Sequence, residues 1–157
     1  MNRNLETFSN ETLALLFLES RESPLRRSIH MAHDDLYTGP HVGLNIIQPD
    51  SYIQPHLRYA DESIIWYSGK LVSIQLEDAK KIKKTCILSQ HSPYLFLPKR
   101  TYHTVIALEP NSAIWMVIQG PHDPKKFSEF LSLTPKQNEN YQEYFEFLRN
   151  AGLVLSD

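Results

Sequence analysis

Four side chains carry most of the chemistry this sequence can offer. His56, Arg58 and Glu62 stand together in Pro55-His56-Leu57-Arg58-Tyr59-Ala60-Asp61-Glu62, and His103 follows the turn Pro98-Lys99-Arg100-Thr101-Tyr102. In a strand, residues two apart project to the same face, so His56 and Arg58 share a direction while Leu57 points away. Glu62 lies four residues beyond Arg58, early enough in the next strand to turn back toward the same interior. His103 enters from a distant strand. Two imidazoles and one carboxylate make a three-ligand set suited to iron, manganese, nickel or zinc, with open positions left for a substrate. Arg58 complicates that set with a fixed positive charge, which weakens any metal site beside it. Two arrangements stay open: Arg58 swings outward and leaves the triad, or it pairs with Glu62 in the metal's place.

The elements that must position these groups are short strands. From Arg26 to about Gln119, runs rich in Val, Ile, Tyr and Phe recur between turn residues: Ser28–Met31, Val42–Gln48, Ser51–His56, Glu62–Tyr67, Leu71–Glu77, Ile82–Leu88, Tyr94–Leu97, His103–Glu109 and Ala113–Gln119. About nine strands at this spacing predict an all-β sandwich or barrel. Leu71, Ser73 and Gln75 alternate with Val72, Ile74 and Leu76, as in a sheet with two unlike faces. Ahead of the strands, Ser9-Asn10-Glu11-Thr12 offers N-cap chemistry for a helix over about 10–20 that ends near Ser23-Pro24. Behind them, a short helix is expected near Pro124–Leu131. A second, over about 138–150, carries Tyr141, Tyr144, Phe145 and Leu148 on one face. These helices are expected to cover an open edge or end of the barrel. The organisation expected is one domain over 1–157: a helical arm (1–25), a β-barrel (26–120) and a helical cover (121–157).

Bulk composition excludes several classes of partner. With 157 residues, 41% apolar, 22% charged and a formal net charge of −2, the chain is of ordinary globular type, without an electrostatic footprint for nucleic acid. The longest early apolar run, Leu13–Leu18, is too short to span a membrane. Cys86 is the only cysteine, which makes an internal disulfide unavailable and a reducing cytoplasm the expected compartment.

The order and spacing of these residues resemble the cupin superfamily. Its first motif matches as Asp50 in the place of a glycine, then His56-Leu57-Arg58, Glu62 and Gly69, and its second survives as Pro98 with His103. Arg58 stands where a second histidine is usual. The second motif's glycine is missing, with Arg100 or Thr101 near its place. Within the superfamily the chain is similar to the WbuC-like group of bacterial surface-polysaccharide gene clusters. The similarity is carried by Arg27-Ser28-Ile29-His30, Ser51–His56, Tyr102–Val105, Ala107–Pro110 and Gly120-Pro121-His122-Asp123-Pro124.

That resemblance implies a single cupin-type jelly-roll barrel. It also implies a small-molecule site acting on a sugar, sugar nucleotide or sugar-derived intermediate, with His56, Glu62 and His103 as metal ligands. Glu62 and Arg58 are the expected catalytic pair: Glu62 as a general base where no metal binds, Arg58 orienting an anionic substrate. The activity expected is that of an isomerase or epimerase. A metal-free binder of an acidic ligand and an iron-dependent dioxygenase are the alternatives. Arg58, Tyr52, Tyr67, Tyr102 and His30 are the candidate substrate-binding residues, and Trp66 and Trp115 are read as core or barrel lining. His33, His41 and His91 are read as surface, Lys80–Lys84 as a solvated strand edge, and a homodimer as the assembly.

Overall fold

The computed structural model describes residues 9–32, 39–120 and 128–154. Helix α1 spans Asn10–Glu22, and its N-cap Ser9 accepts a hydrogen bond from the Thr12 N–H. Among the described residues ten strands follow: β1 Arg27–Met31, β2 His41–Ile47, β3 His56–Arg58, β4 Glu62–Ser68, β5 Leu71–Asp78, β6 Lys81–Leu88, β7 Tyr94–Leu97, β8 His103–Ala107, β9 Ser112–Ile118 and β10 Ser128–Phe130. Helix α2, Gln142–Val154, closes the described chain. Among the described residues no helix is long and apolar enough to cross a membrane.

The strands form two antiparallel five-stranded sheets, ordered β1-β2-β9-β4-β7 and β10-β3-β8-β5-β6. The two sheets face each other. Ile47, Ile64, Leu71, Leu88, Leu97, Val105, Ala107 and Ile114 fill the space between them. Each helix then covers the outer face of one sheet. Leu13, Leu16 and Phe17 of α1 pack on Leu44, Ile46, Ala113 and Trp115 of the first sheet. Tyr144, Phe145 and Leu148 of α2 join Val72, Ile74, Leu76 and Ile106 on the outside of the second. Gly152 lets α2 lie close to that sheet, since a β-carbon there would meet Val72 Cγ1 at 2.9 Å.

This arrangement gives the alternation in β5 its meaning. Val72, Ile74 and Leu76 face outward beneath α2, and Ser73 and Gln75 face the interior with Leu71. The helix, rather than the facing sheet, receives the more apolar side, because α2 shields it from water.

Several sequence expectations need correction. Residues 51–55 are not a strand, and the β-ladder begins only at His56. The chain before it is held by side chains instead: Arg27 Nη1 donates to the Tyr52 carbonyl at 2.8 Å, and Thr104 Oγ1 to the Ile53 carbonyl at 2.7 Å. Of the short helix expected over 124–131, residues 124–127 lie outside the described chain. Ser128–Phe130 form strand β10, paired antiparallel with β3. Finally, α2 covers a sheet face rather than an edge or end.

Candidate functional site

The register of the two sheets places the chemistry. Residues directly opposite in an antiparallel ladder share a face. Across the second sheet, one inward row therefore reads Phe130, His56, His103, Gln75, Lys84. Across the first, a row reads His41, Ile118, Glu62, Leu97. Glu62 and His103, each 3% exposed, reach across the interior from opposite sheets and meet with Nε2 and Oε2 3.3 Å apart. His56 lies beside His103, ring centroids 4.7 Å apart. Arg58 stands next in β3, its Nε 3.8 Å from the same Glu62 oxygen. The four residues singled out by spacing converge at one end of the sandwich.

The two imidazoles are oriented alike. Nδ1 of His56 is 3.0 Å from the Gln54 carbonyl, and Nδ1 of His103 is 3.0 Å from the Thr101 carbonyl. A carbonyl only accepts, so each Nδ1 carries a proton, and Nε2 is the ring nitrogen left for another partner. His103 then meets acceptors on both sides, Thr101 O and Glu62 Oε2, and one N–H alone does not serve both. A second ring proton, or a cation shared with Glu62, resolves that conflict. A backbone partner that fixes the tautomer is also what orients a metal-binding histidine.

The electrostatics follow from burial and neighbours. Burial lowers His56 to about 3, helped by the Arg58 and His103 charges, so this ring stays neutral. Burial alone would raise Glu62, but His103 against its carboxylate, then Arg58 and His56, outweigh that and hold it below the usual carboxylate range. Burial lowers Arg58, and Glu62 pulls it part of the way back.

The donor types fit a divalent metal: two imidazoles, each with Nδ1 held by a backbone carbonyl, lie beside a buried carboxylate. Among the described residues, however, no three His, Cys, Asp or Glu side chains stand in a geometry that holds a metal as they are. The Arg58 guanidinium is the competing cation at Glu62.

The other candidates lie elsewhere. Tyr52 is core beneath α2, stacked 4.5 Å from the Tyr141 ring, its hydroxyl donating to the Pro135 carbonyl at 2.7 Å. Tyr67 is 40% exposed and follows the outward Ile65 by two residues. Tyr102 points away from its neighbour His103, and its hydroxyl donates to Glu129 Oε1 at 3.0 Å, opposite Tyr59 on Oε2 at 2.6 Å. His30 pairs with Leu44 on the outer face of the first sheet, away from the interior cluster. His33 and His122 lie outside the described residues.

His41, read as surface, is 3% exposed on the inward row of Glu62. Starting the strand at Val42 hid it. Gln75 and Ser73 were visible in the sequence only as the polar half of an alternation, and Lys84 only as part of a basic run. Register is what places Gln75 opposite His103, with Lys84 next along that row and Ser73 one pair deeper.

The second motif's missing glycine also finds its counterpart. Arg100 takes φ 63°, the left-handed backbone that glycine adopts freely, and its N–H donates to the Arg58 carbonyl at 2.7 Å. Gly69, at φ 71°, has no such substitute: a β-carbon there would stand 2.3 Å from Ser112 Oγ.

Comparison with known proteins places this architecture. A family model described as a domain of unknown function (DUF6016) matches residues 8–88. No curated protein matches in sequence. Among solved structures, a Shewanella oneidensis protein is similar at TM-score 0.56 and 13% identity, over 82% of this chain and 85% of that one. A cupin superfamily protein from Desulfitobacterium hafniense is similar at TM-score 0.50 and 9% identity, over 59% and 76%. The capsular polysaccharide assembling protein CapF from Staphylococcus aureus is similar at TM-score 0.53 and 19% identity, over 68% of this chain but only 33% of CapF.

Proposed function

The chain belongs to the DUF6016 family and has the cupin jelly-roll fold, and from its interior we propose a small-molecule site that takes a divalent metal through His56, Glu62 and His103. One observation carries the reading. Both histidines engage Nδ1 with their own backbone, which leaves His103 Nε2 facing Glu62 Oε2 at 3.3 Å, with a proton or a cation needed between them. A metal bound there would polarise a carbonyl or hydroxyl of the substrate as a Lewis acid. Arg58 releases Glu62 in that state and holds an anionic group of the ligand. His56, neutral through burial, remains a donor rather than a charge.

The substrate class proposed is a sugar or sugar-derived intermediate of surface-polysaccharide synthesis. Its supports are the WbuC-like motifs and the likeness of fold to a capsular polysaccharide assembling protein. A homodimer and a cytoplasmic setting belong to the same proposal. Ile65, Tyr67, Tyr94 and Phe96 leave an apolar strip exposed on the outer face of β4 and β7, and the thiol of Cys86 is free.

Titration of chelator-treated protein with Mn²⁺, Fe²⁺, Ni²⁺ and Zn²⁺ tests the metal. We expect one site per chain, lost in His103→Gln. Arg58→His restores the fourth donor and removes the rival cation, and should tighten binding at least about tenfold. No binding by any of the four ions, in either protein, would sink the proposal.

The loose ion pair between Arg58 and Glu62, 3.8 Å, favours a second reading. There the arginine replaces the metal and the barrel binds an acidic ligand without chemistry. Ligand affinity unchanged by chelation would select it. Oxygen uptake by the iron-loaded protein with candidate sugars would select a dioxygenase.

A further inference from the structure

On the second sheet, the inner wall next to His103 stays polar at Gln75 and Ser73 before it turns apolar. Gln75 lies directly opposite His103 on β5, and Lys84 lies opposite Gln75 on the edge strand β6. One residue pair deeper, Ser73 faces the interior between Val105 and Cys86. Ser73 is 1% exposed, and its hydroxyl makes no hydrogen bond among the described residues. A buried hydroxyl without a partner signals a water or ligand that supplies one. Around this strip the wall is Leu71, Leu88, Val105 and Ala107, none of which recognises a polar group. Lys84 is exposed on the edge strand and thus keeps its ammonium in water.

We propose that Ser73, Gln75 and Lys84 form a substrate subsite for a polyhydroxylated small molecule carrying a phosphate or carboxylate. The amide and the buried hydroxyl exchange hydrogen bonds with ligand hydroxyls, and Lys84 binds the anion. Neighbouring strands are about 4.8 Å apart, so Lys84 stands roughly 10 Å from His103 along the row. That separation matches a ligand with its reacting carbon at His103 and Glu62 and its anion near the opposite end of a sugar ring. This inference rests on the barrel interior being the ligand site, but not on a metal being there.

Calorimetric titration with glucose 1-phosphate, glucuronate and glucose tests it, on wild type and on Lys84→Met, Gln75→Met and Ser73→Ala. At least one of the two anions should bind about tenfold or more tightly than glucose, the phosphate and carboxylate arms showing which anion is preferred. Lys84→Met should abolish that advantage and leave glucose unchanged. Gln75→Met and Ser73→Ala should weaken the sugar and its anionic form alike, by about tenfold. Mn²⁺ affinity, measured on the same four proteins, should not change. If Mn²⁺ fails to bind while the anion advantage still depends on Lys84, the metal proposal falls and this one stands. If Mn²⁺ binds but the anion advantage survives Lys84→Met, or neither anion binds at about 10 mM, this inference is overturned.

Discussion

At the residue scale, the site is a small set of charges held out of water, and its behaviour in acid follows from that. In the metal-free protein His56 is held at about 3, against 6.5 for a free histidine. The unfolded chain therefore takes up a proton that the folded chain refuses. Stability from this source is full above pH 6.5 and is lost as pH falls toward 3. Between pH 7 and pH 4 the loss is about 3 kcal/mol, or a drop in Tm of roughly 6–12 °C for a chain of this size. Glu62, held below its usual 4.5, adds a further loss only below that pH. Thermal melts of chelated wild type and His56→Gln at intervals from pH 7 to 4 check this. The variant should be nearly flat between 6.5 and 5, and an unchanged slope would mean that His56 is not the buried neutral group. Of this cluster, spacing alone pointed to His56, Arg58, Glu62 and His103. It missed His41 and misplaced Tyr52, Tyr67, Tyr102 and His30, because a side chain's face depends on where its strand begins and what it pairs with.

At the element scale, two local features can be tested without touching the site. Arg100 pays a left-handed backbone, φ 63°, to keep the turn whose N–H holds the Arg58 carbonyl. Arg100→Gly should relieve that strain and raise stability by about 0.5–1 kcal/mol, the gain being trimmed by glycine's greater freedom when unfolded. Denaturant midpoints measure it, and a loss of stability would show that the arginine side chain is holding the turn. Helix α2 is the second feature. Leu148 is fully buried between α2 and the outer side of β5, so Leu148→Ala should cost about 2–5 kcal/mol. A cost below 1 kcal/mol, in the same denaturant measurement, would mean that the helix is not docked there. The three- and four-residue spacing of Tyr144, Phe145 and Leu148 made this helix legible. Its destination was not legible, since periodicity reports one apolar face without naming what it covers. Strand β10 was read as helix for a related reason: three residues carry too little period, and pairing with β3 decides their conformation.

At the scale of the whole molecule, the two helices cover unequal parts of the sandwich. Leu44, Ile46, Ala113 and Trp115 lie under α1, but Ile65, Tyr67, Tyr94 and Phe96 on the same sheet stay 39–57% exposed. For the proposed homodimer this strip is the contact, so Ile65→Lys should convert dimer to monomer in light scattering behind gel filtration. A monomeric wild type would remove the dimer, and a dimeric variant would move the contact to another face. The sequence by itself determined the strand-rich barrel, the capped first helix, the amphipathic last one and the four residues of the central cluster. Each rests on local information: alternation, capping chemistry, three- and four-residue spacing, and a fixed interval between ligands. Tertiary structure alone decided that Glu62 meets His103 from the opposite sheet and that Arg58 competes for the same oxygen. It also set Ser73, Gln75 and Lys84 on the same inner wall as His103. These are matters of register across strands far apart in the chain, where a shift of one residue turns every side chain to the other face.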